Sequence, residues 1–537
     1  MLGLCATIVK FLTMAHNVNR EAAWNYHKAT KHSYTSVRTN PHFLDFGNQP
    51  LPFKIYPSLA PARMPTEVRQ TGVAALSAIA GSVPSQTDAV PDLEAVAQLL
   101  YLSAGITRQR KYAGGEIYFR AAACTGALYE VELYLVCGDL AGLPAGVYHF
   151  APAEFGLRQL RAGDYRSVLI EATANEPATA QAPLTIICTG TYWRNAWKYQ
   201  ARTYRHFGWD NGTLLANLLA IATALGLPAK VVCGFVDATV NRLLDVDSER
   251  EVAFSLVALG HDSGLSKQAM QRVPPDIMPL GFETVPLSRK EIDYPAMREM
   301  HAACSLDSAE EVAAWRGRAS LDRTVDFPPA AGPVVRLQPL SDAEMPPDPI
   351  EQVILRRGSS RRFARAPISL AQLSTMLDRA TRGVPADFLA PNLEDPLGAQ
   401  LNHLYLIVNA VEGLEPGAYF FHRDRGVLEL LKQGNFRDQA GYLGLEQQLP
   451  ADAAVDIFLL ADLEQILDRF GNRGYRAVQL EAGILGGKLY LAAYAQRLGA
   501  TGLTFYDDDV TRFFSPHAEG KSTIFLVAVG YGAKQEP

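Results

Sequence analysis

GLPAGVYHF at residues 142–150 and GLEPGAYFF at 413–421 are two versions of one segment, a Gly/Pro turn that runs into an aromatic-rich strand. They stand 271 residues apart, and at that offset Gly142 to Gly212 lies on Gly413 to Gly483 without a gap. Within this register Gly163 and Arg166 meet Gly434 and Arg437, while Arg202, Tyr204 and Arg205 meet Arg473, Tyr475 and Arg476. After a small shift GFVDATVNRLL (Gly234 to Leu244) meets TFYDDDVTRFF (Thr504 to Phe514), and LVALG meets LVAVG (Leu526 to Gly530). So many matches in one order identify a tandem duplication.

Working outward in the first copy, helical patterns cover Thr71 to Ile79 and Asp92 to Ala104, and ALYEVELYLV (Ala127 to Val136) alternates as a strand. GVYHF and LRQL (Leu157 to Leu160) form a hairpin. APLTIICTG (Ala182 to Gly190) reads as a buried strand, Asp210 to Leu227 as a long buried helix, and AFSLVALG (Ala253 to Gly260) as a last strand. The fold class is therefore α+β. Two domains are expected at 71–264 and 346–537, each of ordinary size, packed through their long apolar helices as an intramolecular pseudo-dimer. Residues 1–70, rich in His, Asn and Pro, read as an extension that wraps the surface rather than entering the core, and 265–345 as a linker with two short helices.

Composition bounds the function. The 537-residue chain is too long for one hydrophobic core. Its net charge of −6 gives no general attraction for nucleic acid or anionic membranes, so any basic site is local. The cysteines at 5, 124, 137, 188, 233 and 304 lack metal-ligand spacing, which argues against a zinc site or a disulfide framework and fits a reducing, cytoplasmic setting. No window reaches the length of a membrane span. The first 13 residues lack the marks of a signal peptide, and Met14 is an alternative start.

The two copies differ in a complementary way. RRGSSRRF (Arg356 to Phe363) puts four arginines and two serines in eight residues, a set suited to a phosphate ester, although a solvated basic helix end has the same composition. Its first-copy counterpart is IAGSVPSQ (Ile79 to Gln86), which keeps the glycine and a serine and loses every arginine. Conversely, the first copy has a small-residue turn, Ala123-Cys124-Thr125-Gly126, through which backbone can approach a flat ligand closely. The second copy has the acidic PNLEDPLGAQ (Pro391 to Gln400) there.

These residues, with Lys198-Tyr199, the Tyr-Arg before the long helix and YHKATKHS (Tyr26 to Ser33), resemble the SagB/ThcOx branch of the nitroreductase-like FMN oxidoreductases. The resemblance runs from about Trp24 through most of the chain. It implies a mostly antiparallel central sheet flanked by helices, and a flavin shared between two domains. Carried onto this sequence, it implies that Arg357, Ser359 and Arg361 hold the FMN phosphate. Ala123, Cys124, Thr125 and Gly126 would approach the flavin from the first domain, and the backbone of Gly502, Leu503 and Thr504 would face the ring. Lys198 and Tyr199 would be the catalytic pair. Their counterparts Arg469 and Phe470 cannot transfer protons at neutral pH, so one intact site and one degenerate site are expected. The family's Pro and Ser at the turn are Ala123 and Cys124 here, and its trailing Pro is Glu130.

The chemistry so implied is dehydrogenation of an azoline-type group on a peptide or natural product, with NAD(P)H-dependent reduction of nitro or quinone compounds as the alternative. A non-catalytic flavin-binding or scaffold protein is the reading from another class. Substrate identity and further pairing of pseudo-dimers stay open. Because Arg202, Tyr204 and Arg205 persist in both copies they read as structural, the arginines pairing with Asp210, and Arg473 and Arg476 with Glu481. Asp507-Asp508-Asp509 reads as a helix cap. HAEGKS (His517 to Ser522) lacks the first glycine of a P-loop, leaving Lys521 and Lys534 as further phosphate candidates.

Overall fold

A computed structural model describes residues 16–84, 88–112, 115–264, 274–320, 330–389 and 399–533. Residues 391–398 of the acidic replacement loop, the first 13 residues and Lys534 lie outside that set. The first copy supplies β1 (Ala62–Arg63), β2 (Ile106–Tyr112), β3 (Gly115–Arg120), β4 (Val131–Cys137), β5 (Gly146–Ala151), β6 (Gly156–Ala162), β7 (Leu184–Thr191), β8 (Ala229–Val232) and β9 (Glu251–Leu259). The second supplies β10 (Val334–Arg336), β11 (Ile368–Ser369), β12 (His403–Val408), β13 (Val411–Glu412), β14 (Gly417–His422), β15 (Val427–Gln433), β16 (Val455–Ala461), β17 (Gly499–Leu503) and β18 (Ser522–Gly530).

Two seven-stranded sheets result, in the orders β1-β6-β5-β4-β7-β9-β8 and β10-β15-β14-β12-β16-β18-β17, every neighbouring pair antiparallel. Position for position the two orders are the same. The central strands β4, β7, β12 and β16 are buried along their whole length, as strands covered on both faces must be. The β2–β3 hairpin is a separate ribbon of the first copy.

The halves meet through the helices Thr203–Ala224 and Arg473–Ala495, which are buried along nearly their whole length. They cross at Gly212 and Gly483, residues related by the 271 offset. A Cβ on Gly212 would stand 2.5 Å from the Cα of Gly483, so the helices touch backbone to backbone. Trp209 Nε1 donates to Gln479 Oε1 across the crossing at 2.6 Å.

Local conformation shifts three boundaries. The first helix is Ala75–Ala80, because Gly72 takes a left-handed φ of 75° and Ala74 is extended. The strand read as Ala127 to Val136 starts at Val131, since Ala127 and Tyr129 both have φ of 54° in a tight turn. The long helix begins at Thr203 rather than Asp210, which puts Tyr204 and Arg205 in its first turn.

Those arginines correct two expectations. Arg202 and Arg205 pair with Asp507, at 3.2 and 2.6 Å, and Arg473 and Arg476 with Asp237, at 2.5 and 3.0 Å. Asp237 and Asp507 are themselves counterparts, so each half neutralises the arginines of the other. Asp210 and Glu481 instead accept backbone N–H groups, of Thr125 and of Leu401 and Asn402. Asp507 is likewise a buried counter-ion. Burial alone would raise its carboxyl, but Arg202 and Arg205 hold it well below the usual range.

The extension is not merely a wrap. Helix Glu21–Ala29 places Ala23, Tyr26 and His27 in the core, with the Tyr26 ring 5.8 Å from both Tyr204 and Tyr475. It also has a second copy in the linker, helix Pro295–Ala303. The His32 N–H donates to the Asp507 carboxylate and its carbonyl accepts the Asp507 N–H, and Leu306 makes the same two bonds with Asp237. His27 meets the Tyr475 hydroxyl at 3.2 Å, and His301 that of Tyr204 at 3.4 Å.

Candidate functional site

Helix Ile350–Arg356 ends at the arginine run, and its last residues fan out. Arg356 turns back to Asp348 and the Tyr494 carbonyl, at 2.7 and 2.8 Å, and is structurally committed. Arg357 crosses to the other half, where its Nε donates to the Ala121 carbonyl at 3.0 Å and a terminal nitrogen to that of Arg120 at 3.4 Å. Its guanidinium also sits 5.8 Å over the Tyr490 ring. Ser359 and Tyr490 share a hydroxyl contact of 3.3 Å, and Gly502 N–H donates to the same tyrosine oxygen. Arg361 is exposed, while Phe363 is buried against Ala453 and Ala528 and anchors the end of the run.

The first half delivers its turn to this place. Gly126 has φ of 65°, and a Cβ there would lie 2.8 Å from the Tyr199 hydroxyl, so the phenol rests on the glycine. Thr125 donates its N–H and hydroxyl to Asp210, at 2.8 and 2.9 Å, and the Thr213 hydroxyl donates to the Ala123 carbonyl at 2.6 Å. These bonds explain why Asp210 is found beneath the turn rather than beside an arginine.

The Cys124 thiol lies 3.4 Å from Asp210 Oδ2 and 3.5 Å from Glu130 Oε2, and its sulfur accepts the Tyr129 N–H at 3.0 Å. Burial, then the neighbouring Asp210 and Glu130, push this thiol well above its ordinary value. Burial and Glu130 likewise raise Asp210. One ligand atom from each of the three residues falls within 4.8 Å of the others, but the raised Cys124 and Asp210 favour their neutral forms, which are poor metal ligands. Cys124 is thus a neutral packing thiol and not a thiolate nucleophile.

Lys198 and Tyr199 end helix Tyr192–Tyr199, where Gln200 takes φ of 52°. The extension clamps this helix: His42 Nε2 contacts the Trp197 carbonyl at 2.8 Å, and Trp197 Nε1 donates to that of Asp45 at 3.0 Å. Arg194 ties it to Glu132 at 2.6 Å. Partial desolvation, then the charge of Arg361, lowers the Lys198 ammonium below the usual lysine value. Burial, with Asp210 and Cys124, keeps the Tyr199 phenol protonated. In the second half Arg469 is spent on the carbonyls of Arg318 and Ala319, and Phe470 is buried against Trp315.

The structure thus joins Arg357, Ser359 and Gly502 through Tyr490, ties Arg357 to the Arg120 and Ala121 carbonyls just before the turn, rests Tyr199 on the turn itself, and lets the charge of Arg361 act on Lys198. Leu503 continues β17 beside Gly502, and the buried Thr504 hydroxyl has no hydrogen-bond partner among the described residues. Lys521 is elsewhere, its charge acting on His403 and His517. Tyr490 is the residue that sequence reading missed. Its counterpart is Leu219, so the comparison that separated the arginines from Ile, Ala and Pro would have found it. A small cavity beside the turn is lined by Arg120, Cys124, Tyr129 and Asp210.

The Nitroreductase family model matches the chain twice, over residues 86–261 and 354–531. Over 170 residues the chain is 26% identical to MJ1384 of Methanocaldococcus jannaschii, assigned as a nitroreductase, covering 30% of this chain and 81% of that protein. Over 162 residues it is 31% identical to the trifolitoxin-processing protein TfxB of Rhizobium leguminosarum bv. trifolii, and there it spans 29% of this chain and 43% of TfxB. The crystal structure of a protein from Anabaena variabilis, also assigned as a nitroreductase, superposes with a TM-score of 0.72 at 25% identity, covering 95% of this chain and 99% of that one.

Proposed function

The chain belongs to the nitroreductase family, and on that premise we propose that this nitroreductase-like oxidoreductase is FMN-dependent, with one flavin site shared between its halves. The observation that carries the reading is the Arg357 bond to the Arg120 and Ala121 carbonyls, which brings the arginine run of one half to the turn of the other. The residues fit the group. Neither Arg357 nor Arg361 is paired with a carboxylate among the described residues, so the exposed Arg361 and the N–H groups that Arg357 does not give to the Arg120 and Ala121 carbonyls are open to phosphate oxygens. Ser359 adds a hydroxyl. The unpartnered Thr504 hydroxyl is a buried group still in need of a partner, which a ligand would satisfy.

Bound FMN would supply a two-electron carrier that exchanges hydride with substrate at N5. Around it Lys198 holds its proton less tightly than a free lysine and exchanges it with the substrate. Tyr199, kept protonated, donates a hydrogen bond that orients the substrate, while Gly126 lets the backbone come close. Ala123, Cys124 and Thr125 are fixed from behind by Thr213 and Asp210, so the surface they offer is rigid. The backbone of Gly502, Leu503 and Thr504 would face the flavin ring, as the resemblance implies.

For substrate, dehydrogenation of an azoline-type group on a peptide or natural product is the first reading. It is supported by the clamped Lys198-Tyr199 pair and by the likeness to TfxB, a trifolitoxin-processing protein. Reduction of nitro or quinone compounds by NAD(P)H is the second, favoured by the likeness to MJ1384. The test is flavin released and quantified per chain, with Arg357→Ala and Arg361→Ala alongside. One FMN per chain is expected, with affinity about 10- to 100-fold lower in each variant, the worth of a charge-assisted hydrogen bond. A colourless protein after reconstitution, or variants that keep stoichiometric FMN, would overturn the composite site.

A further inference from the structure

The β2–β3 ribbon belongs to neither seven-stranded sheet, and it leads the chain into the composite site. β3 ends at Arg120, whose carbonyl, with that of Ala121, accepts from Arg357. Side chains alternate along each strand, so the register sorts them into two faces. Arg108 opposite Phe119, Arg110 opposite Ile117 and Tyr112 opposite Gly115 share one face. Gln109 opposite Tyr118 and Lys111 opposite Glu116 share the other.

The second of these faces is complete in itself. Glu116 accepts from Gln109 Nε2 at 2.5 Å and from the Tyr118 hydroxyl at 2.6 Å, and it pairs with Lys111 at 3.0 Å. The Tyr118 ring packs edge-on against Phe53 of the extension, 5.2 Å away. The first face is open. Arg108 and Arg110 are exposed, and neither has an ion pair among the described residues. Beside them Tyr112 is 56% and Ile117 40% exposed, with Phe119 half-buried at the inner end. This face also reaches the site electrostatically: burial lowers the Arg357 guanidinium, and the charge of Arg108 lowers it further. Arg110 and Tyr112 lead outward from there along the strand.

Arginines on alternate residues of a strand stand ~7 Å apart, which is also the interval between alternate side chains of an extended chain. Acidic side chains at that interval meet both guanidiniums, and apolar ones further along the same face cover Tyr112 and Ile117. A nicotinamide dinucleotide answers this row less well, because its charge is concentrated in one compact diphosphate. We propose that the open face of the ribbon docks a polypeptide substrate in extended form, and that this substrate carries acidic side chains two residues apart, followed by apolar ones, next to the group that is modified. The proposal names the substrate class of the composite site and rests on the reading of the chain as a peptide-modifying oxidoreductase.

Fluorescence anisotropy of a labelled Glu-Ser-Glu-Ser-Leu-Ser-Leu peptide titrated with the full chain tests it, with lysine in place of glutamate as the control peptide. Saturable binding that weakens as salt is raised is expected for the acidic peptide and none for the basic one. Arg110→Gln should weaken the acidic peptide about 2- to 5-fold, and Arg108→Gln combined with Arg110→Gln about 10-fold. Lys111→Gln, the same charge change on the closed face, should leave affinity within about 2-fold. On the unaltered protein, the bound peptide should slow hydrogen exchange in β2 and β3. No saturable binding, equal binding of the basic peptide, or equal losses in Arg110→Gln and Lys111→Gln would each overturn the proposal. Flavin content read by absorbance in the same samples keeps the two readings apart. Peptide bound by a colourless protein would remove the flavin site and leave the docking face standing, whereas one flavin per chain with no peptide bound would remove the docking face alone.

Discussion

Gly212→Ala should destabilise the protein, although helix propensity alone favours it. Alanine in a helix interior gains about 1 kcal/mol over glycine. At this position, however, the new methyl would stand 2.5 Å from the Cα and carbonyl carbon of Gly483 and from the amide nitrogen of Ile484. All three are backbone atoms, so no side chain can rotate away. Ordinary carbon contacts start near ~3.5 Å, so the helices must part by about 1 Å. Gly483, Gly208 and Gly487 are similarly close to the opposing helix, and the separation would also stretch the Trp209–Gln479 hydrogen bond.

Overpacking of this kind costs about 1–3 kcal/mol, and the strained hydrogen bond about 1 more, which outweighs the propensity gain. A net loss of about 1–3 kcal/mol follows. Gly317→Ala is the control, because among the described residues no atom beyond its chain neighbours and its own helix backbone lies within 4 Å of its Cβ position, and its helix ends there. Urea denaturation followed by far-UV circular dichroism reads both as a shift in midpoint. A Gly212→Ala protein as stable as the parent would refute the close crossing on which the pseudo-dimer rests.

Two further outcomes follow from buried carboxyls. Asp507→Asn strands the guanidiniums of Arg202 and Arg205 and should cost about 3–5 kcal/mol, measured by thermal unfolding. Because the folded carboxyl is held below its unfolded value of about 3.9, its stabilisation is present above that pH and is lost as pH falls; the variant should therefore show a shallower acid transition. Asp387 is the opposite case, pushed by burial up to about 6 while accepting the N–H groups of Cys233 and Gly234. Its favourable contribution is full below about pH 3.9 and lost as pH rises to about 6, so Asp387→Asn should reduce the decline in urea midpoint across that window; an unchanged slope would contradict the assignment.

Much of this was legible in the chain. Self-comparison found the duplication because GLPAGVYHF and GLEPGAYFF sit in turns and strands whose side chains face the core, where substitution is restricted. The uneven retention of Arg357, Ser359 and Arg361 against the Cys124 turn suggested one shared site, and Arg357 of the one segment bonds the Arg120 and Ala121 carbonyls just before the turn of the other. Tyr490 was overlooked because a tyrosine in a long apolar helix reads as core until its partner Leu219 is set beside it. The linker copy of the extension was missed because helix Pro295–Ala303 shares only a histidine and two alanines with Glu21–Ala29. Its role is carried by backbone bonds to Asp237, which impose no side-chain identity.

By itself, then, the sequence determined that there are two α+β copies, that they are unequal, and which residues each had kept. The tertiary structure alone decided who answers whom: Asp507 the arginines of the first half, Asp237 those of the second, and Asp210 the turn rather than Arg202. An intramolecular two-fold exchanges partners between distant segments. Such pairings follow from how two helices cross at Gly212 and Gly483, a choice made by three-dimensional packing that leaves no period or spacing in the chain to read.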